Sequence, residues 1–259
     1  MSIIFALASN VIRELYRRKD FYVLLILTVL ITLVMASASF LKRDDIVRGL
    51  QAICLMLIWI SALVMAVGAT ARQIPAEREN RTIFPLLAKP VTRWHVVVGK
   101  FLGCWLACGI ALAVFYVFFG LISASREHEL HLAIWFQAMW LQWIFLGVVI
   151  ALVLFGSIIF AAPSSNATIC LIFILGIHLV GIHLGRLAMQ QSEPARSIMY
   201  AVYFTVPQFQ LFDIRELVVQ HHQLVDWLDV FLVTLYGFGY TTLFLLAAWL
   251  SFRRKTLTT

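Results

Sequence analysis

Residues 132–162 read LAIWFQAMWLQWIFLGVVIALVLFGSIIFAA, thirty-one consecutive positions without a charge. A helix rises about 1.5 Å per residue, so about 20 such residues cross a hydrocarbon core of about 30 Å. Backbone groups in lipid must be satisfied internally, and the alternation of a barrel strand is absent, so this stretch is a membrane helix. It exceeds one membrane thickness and must therefore tilt, bend near Gly147 or Gly156, or project into water.

Five more intervals outward from it are charge-free or nearly so: Phe21–Leu41, Gln51–Ala71, Val96–Ser123, Ala167–Leu187 and Val230–Phe252. The whole chain of 259 residues is 62% apolar and 13% charged, with a mean hydropathy of +0.93. A soluble domain is about a quarter charged, and the acids and bases here cannot cover a globule of this length. Disordered, collagenous and disulfide-built chains are excluded by the same composition. The reading is an all-α polytopic membrane protein, residues 1–259 forming a single domain of six transmembrane helices.

Lys and Arg orient it. With both termini in the cytoplasm, thirteen basic residues fall inside, among them Arg17, Arg18, Lys19, Arg72 and Arg253, against seven outside, including Arg126 and Arg215. Trp135, Trp140 and Trp143 then fall near the outer interface. The net charge of +7 lies on flanks that face anionic lipid, which accounts for it without nucleic acid as a partner. Residues 2–19 are amphipathic: Ile4, Leu7, Ala8, Val11, Ile12 and Leu15 recur at helical spacing, predicting a helix on the inner leaflet. Their positive charges follow the apolar stretch, which is not the order of a signal peptide.

Enzyme templates fail residue by residue. Gly99-Lys100 lacks the earlier glycine and the hydroxyl of a P-loop, and His128-Glu129-Leu130-His131 places its second imidazole one residue early for a zinc helix. Gly156-Ser157 has no nucleophile elbow around it. Cys54, Cys104, Cys108 and Cys170 fall inside spans and read as buried apolar residues. No metal ligands, cofactor-binding residues or catalytic residues are assigned. His178 and His183, about 140° apart on a helix, read as neutral residues hydrogen-bonded to a neighbouring helix. None of the thirteen acids is expected at membrane depth, so the reading has no carboxylate for a coupling ion.

Between spans two and three lies Arg72-QIPAERENRTIFPLLAKPVTRWHVVVG-Lys100. Span two is predicted to run on to about Glu79. Thr82 can cap a short helix with Pro85 in its first turn, and Lys89-Pro90 ends it. Thr92 can cap span three, and Lys100 is expected to snorkel to the headgroups. Phe84, Leu86 and Leu87 would be available for docking, ringed by Glu77, Arg78, Glu79 and Arg81. A stiff elbow of this kind transmits force to two spans at once.

The run from Glu77 to Arg93, continuing to Gly99-Lys100-Phe101, resembles the signature of type-2 ABC export permeases. Arg13-Glu14-Leu15 with Arg17 to Phe21, and Pro207-Gln-Phe-Gln-Leu-Phe-Asp213, are similar to other parts of that family. Arg81 departs from the pattern, standing where many members carry glycine. The resemblance implies a surface connecting helix over residues 2–19, a cytoplasmic coupling helix from about Thr82 to Ala88, and external helices over 199–219, dipping toward the outer leaflet, between spans five and six; the short apolar pieces there also suggest an interfacial or partly re-entrant element. It implies that Glu77, Arg78, Glu79, Arg81, Thr82, Phe84, Pro85, Leu86, Leu87, Lys89, Pro90 and Arg93 serve coupling to a separate ABC ATPase. That ATPase, in two copies, would carry the ATP and Mg, and a second permease chain would complete a homo- or heterodimer. The setting implied is a bacterial or archaeal plasma (inner) membrane. The nearly charge-free spans point to a hydrophobic or amphipathic substrate. Two other readings are a force-transmitting scaffold without transport and an intramembrane metal or redox protein built on the His residues.

Overall fold

The computed structural model describes residues 3–17, 26, 30, 44–79, 92–127, 132–160, 162–190, 206–220 and 224–254. Among these, every regular element is helical: α1 (Ile3–Arg17), α2 (Asp44–Ala71), α3 (Pro75–Glu79), α4 (Arg93–Glu127), α5 (Leu132–Ile159), α6 (Pro163–Gln190), a 3₁₀ turn (Phe209–Phe212), α7 (Arg215–Gln220) and α8 (Trp227–Arg254). Four described stretches are long and apolar enough to cross a membrane: Gln51–Glu77, Arg93–Leu121, Leu132–Ile159 and Trp227–Arg254. Pro163–Leu179 is a shorter apolar helix where span five was predicted. The first predicted span, 21–41, lies outside the described residues except for Ile26 and Leu30.

The charge-free helix is the centre of the bundle. α5 packs against α2, α4, α6 and α8, and its side chains are buried along nearly its whole length. A helix with no polar face has no side to give to water, so neighbours or lipid must cover it all round. α8, by contrast, buries Val230, Gly237, Thr241, Leu245, Ala248 and Phe252 on one face and leaves Phe231, Leu235, Phe238 and Leu246 exposed on the other.

Two glycines of α5 permit close contacts with neighbouring helices. A Cβ at Gly147 would stand 3.1 Å from Trp105 Nε1, and one at Gly156 would strike Asn166 Oδ1. α6 begins at Pro163, four residues before the predicted span, and the missing N–H of that proline is harmless in a first turn. Asn166 is fully buried, donating to the Val153 carbonyl at 3.2 Å and accepting from Cys170 Sγ at 3.2 Å.

α4 is 35 residues long, about 52 Å, and so outreaches the hydrocarbon core. α1 lies along its first turns. Cβ atoms added at Gly99 and Gly103 would come within 2.7 Å of Leu7 Cβ and 2.6 Å of Val11 Cβ. Small residues four apart let two helix backbones approach in this way. The amphipathic pattern of residues 2–19 therefore holds, but its apolar stripe (Ala8, Val11, Leu15) is buried in the protein rather than in lipid.

Trp135, Trp140 and Trp143 pack against neighbouring helices instead of forming a free belt. Trp140 Nε1 donates to Thr234 Oγ1 at 3.0 Å, and the Trp135 ring meets Phe119 edge-on at 6.0 Å.

Candidate functional site

The elbow after span two is built around a buried cation. Helix α2 ends at Ala71, residues 72–74 turn, and α3 restarts at Pro75. The Gln73 carbonyl is left facing α4, where Lys100 Nζ donates to it at 3.1 Å and to Gln73 Oε1 at 3.2 Å. Glu77 Oε1 completes the set at 2.7 Å from the same ammonium. Lys100 is 3% exposed, so the predicted snorkelling does not occur. The physical reason is proximity: a broken helix end supplies a carboxylate, an amide and a carbonyl within reach of the stem. An ammonium with three oxygen partners is better satisfied there than at a distant interface.

Arg93 closes the other side of the insertion. Its Nη1 donates to the Phe252 carbonyl and, at 3.1 Å, to that of Arg253. The guanidinium also lies 5.3 Å from the Phe252 ring centre. A cation on the last carbonyls of α8 caps that helix and opposes the negative end of its dipole. Thr92 stands just before α4, its hydroxyl meeting His95 Nδ1.

The structure therefore brings Glu77 to Lys100 and Arg93 to α8, and leaves Glu79 exposed. The side chain of Arg78 and residues Arg81, Thr82, Phe84, Pro85, Leu86, Leu87, Lys89 and Pro90 lie outside the described residues.

A second polar cluster lies deep in the bundle, where the sequence reading placed no charge. Residues 206–220 do not stay at the surface. The rings of Phe209 and Phe212 lie 5.2 and 6.2 Å from that of Phe145, which sits at the midpoint of α5. Gln208 N donates to Tyr236 Oη at 2.9 Å, and α7 packs on α2. Irregular backbone is tolerated at membrane depth only where protein surrounds it, as here.

This re-entrant segment carries Asp213 and Arg215 inward. Arg215 Nε donates to Asp213 Oδ1 at 2.7 Å and Nη2 to Oδ2 at 2.5 Å. The expectation that no acid reaches membrane depth is thus corrected. An Asp-x-Arg step neutralises itself bidentately, so the pair enters an apolar bundle as a unit of zero charge. The apolar residues Phe209, Leu211, Phe212, Leu217, Val218 and Val219 around it were the available signal.

Trp59 of α2 receives the pair. Arg215 Cζ lies 5.1 Å from its ring centre, His178 of α6 lies 5.1 Å away at a tilt of 37°, and Phe145 stacks on it at 5.5 Å. His178 Nδ1 is buried without a hydrogen-bond partner among the described residues, so in place of the expected bond to a neighbouring helix these residues show a tilted ring contact with Trp59. Tyr116 Oη donates to Gln142 Oε1 at 3.0 Å close by. Burial pushes the Asp213 carboxyl up, but the hydrogen bonds and charge of Arg215 outweigh it and hold the group below its ordinary range.

Among the described residues no group of three His, Cys, Asp or Glu side chains is placed to hold a metal ion. The chain matches the family model described as ABC-2 family transporter protein over residues 33–257. No curated protein sequence matches it.

Proposed function

The chain belongs to the ABC-2 family of transporter proteins, and from that premise we propose that it is the membrane subunit of an ATP-driven exporter. A separate ABC ATPase, in two copies, supplies the ATP and Mg chemistry, while this chain carries the pathway and performs no covalent step. Two permease chains, alike or different, form the complex. The multi-pass protein sits in a bacterial or archaeal plasma (inner) membrane with both termini in the cytoplasm. Its substrate is hydrophobic or amphipathic.

In this reading the segment from Thr82 to Ala88 is the coupling helix, seated in the ATPase through Phe84, Leu86 and Leu87, with Glu79 and Arg81 at the rim. The observation that best supports it is the Lys100 clamp. α3 and the turn before it, which precede the proposed coupling segment, are joined to α4 by Glu77 and Gln73, while Arg93, which follows that segment, is joined to α8. A push on the hairpin therefore reaches α2, α4 and α8 together, because buried ion pairs and packed helices do not yield independently.

Copurification from the native host in mild detergent should recover a stoichiometric nucleotide-binding subunit. Glu79→Ala or Leu86→Ala should then lower substrate-stimulated ATP hydrolysis with the permease still inserted. Normal basal and coupled hydrolysis in both variants would remove the elbow from the mechanism.

A further inference from the structure

His178 stands against the same indole as Arg215, with a buried ring nitrogen that nothing among the described residues occupies. We infer that His178 is a proton-binding site inside the bundle, and that its occupancy releases the re-entrant segment 206–220 from Trp59.

The charge balance of the cluster changes sharply with one proton. With His178 neutral, the charged groups around it are Asp213 and Arg215, a bidentate pair of zero net charge. α2 and α5 contribute Trp59 and Phe145, both uncharged, and α4 contributes the phenol of Tyr116, which donates to Gln142. A proton on Nδ1 gives the cluster two cations for one carboxylate, both cations against Trp59. One net positive charge then stands against aromatic rings among side chains that are only about a fifth exposed.

A charge in such a place is costly unless it gains a partner or water. The carboxylate is already held by Arg215 at 2.7 and 2.5 Å, so the imidazolium can only share it, and the two cations repel across one indole. The segment is the element that can relieve this. Its hold includes Arg215 on Trp59, the Phe209 and Phe212 rings on Phe145, the buried side chains of Ile214, Val218 and Val219, and a hydrogen bond from Gln208 to Tyr236. If the proton binds more tightly when the segment has moved out and let water in, then by linkage the proton favours the outward state. The chemistry is local to this bundle and holds whether or not an ATPase drives it, so its failure would leave the transporter assignment untouched.

The experiment uses the full chain in lipid nanodiscs and the proton itself as probe. Imidazolium in ring contact quenches indole fluorescence, so acidification from about pH 8 to about pH 5 should reduce emission. That component should vanish in both Trp59→Phe and His178→Gln. Hydrogen exchange on the unmodified protein needs no substitution. Amides of 206–220 should exchange roughly tenfold faster at the acid end after correction for intrinsic rates. Quenching that survives both ring substitutions, or corrected exchange equal at both pH values, would each overturn the inference.

Discussion

Trp105 of α4 and Trp143 of α5 hold each other's backbone. Trp105 Nε1 donates to the Trp143 carbonyl at 3.0 Å, and Trp143 Nε1 donates to the Trp105 carbonyl at 3.1 Å. Their rings stack at 4.4 Å and 13°. Each indole also covers a glycine one turn further along the other helix: Trp143 lies on Gly109 and Trp105 on Gly147. The exchange satisfies two indole N–H groups in a medium that offers them no water, and it fixes both the spacing and the register of α4 against the central helix.

Gly109→Ala should be the most damaging single methyl at this contact. Its Cβ would stand 2.5 Å from Trp143 Nε1, against 3.1 Å for the equivalent clash of Gly147→Ala with Trp105. Overpacking costs about 1–3 kcal/mol. Thermal unfolding in nanodiscs should show Gly109→Ala below Gly147→Ala, and a smaller ring in Gly109→Ala/Trp143→Phe should recover part of the loss. Equal melting temperatures for the two alanine variants would contradict the geometry.

The clamp at the elbow should behave as a pair. Removing one member of a buried ion pair strands the other, at about 3–5 kcal/mol, whereas removing both is far cheaper. Lys100→Met and Glu77→Gln should each lower the unfolding midpoint more than the double variant does. Additive losses would mean that the 2.7 Å contact is not an energetic couple.

Gly103→Leu should lift α1 off α4, since even a Cβ there lies 2.6 Å from Val11 Cβ and 2.9 Å from the Ala8 carbonyl. Limited proteolysis should then cut within Ile3–Arg17 at protease levels that leave the parent chain intact, with the membrane helices still protected. Unchanged protection of α1 would show that another surface holds it.

Asp213 sets an acid limit on the re-entrant segment. Its carboxyl is held below the ordinary value of 3.8 because Arg215 outweighs the effect of burial. A depressed acid contributes stability that is fully present above its unfolded value and is lost as pH falls through its folded value. In a His178→Gln background, the difference in melting temperature between Asp213 and Asp213→Asn should be constant from neutral pH to about pH 5 and should shrink below about pH 4. A difference that grew toward acid would reverse the sign.

Much of this was legible in the chain before folding. A run such as 132–162 has no polar face, and lipid leaves its backbone no alternative to a helix, so composition and length sufficed to identify it. The family signature from Glu77 to Lys100 was legible for the same reason that motifs are: its spacing is local. Lys100 was misjudged because its partners, Gln73 and Glu77, come into reach only when α2 breaks at residues 72–74 and α3 turns back toward α4.

Asp213 and Arg215 show the same division more sharply. Counted as separate charges they belong outside a membrane, and residue-by-residue hydropathy treats them so. Folded, they cancel each other two residues apart and are drawn in by Trp59, which lies more than 150 positions earlier in the chain. Helix identity and membrane class follow from local periodicity and solvent, which one sequence contains in full. Which glycine receives which indole, and which charges are carried into the bundle, depends on distances between segments remote in sequence, and only the packed tertiary structure sets those.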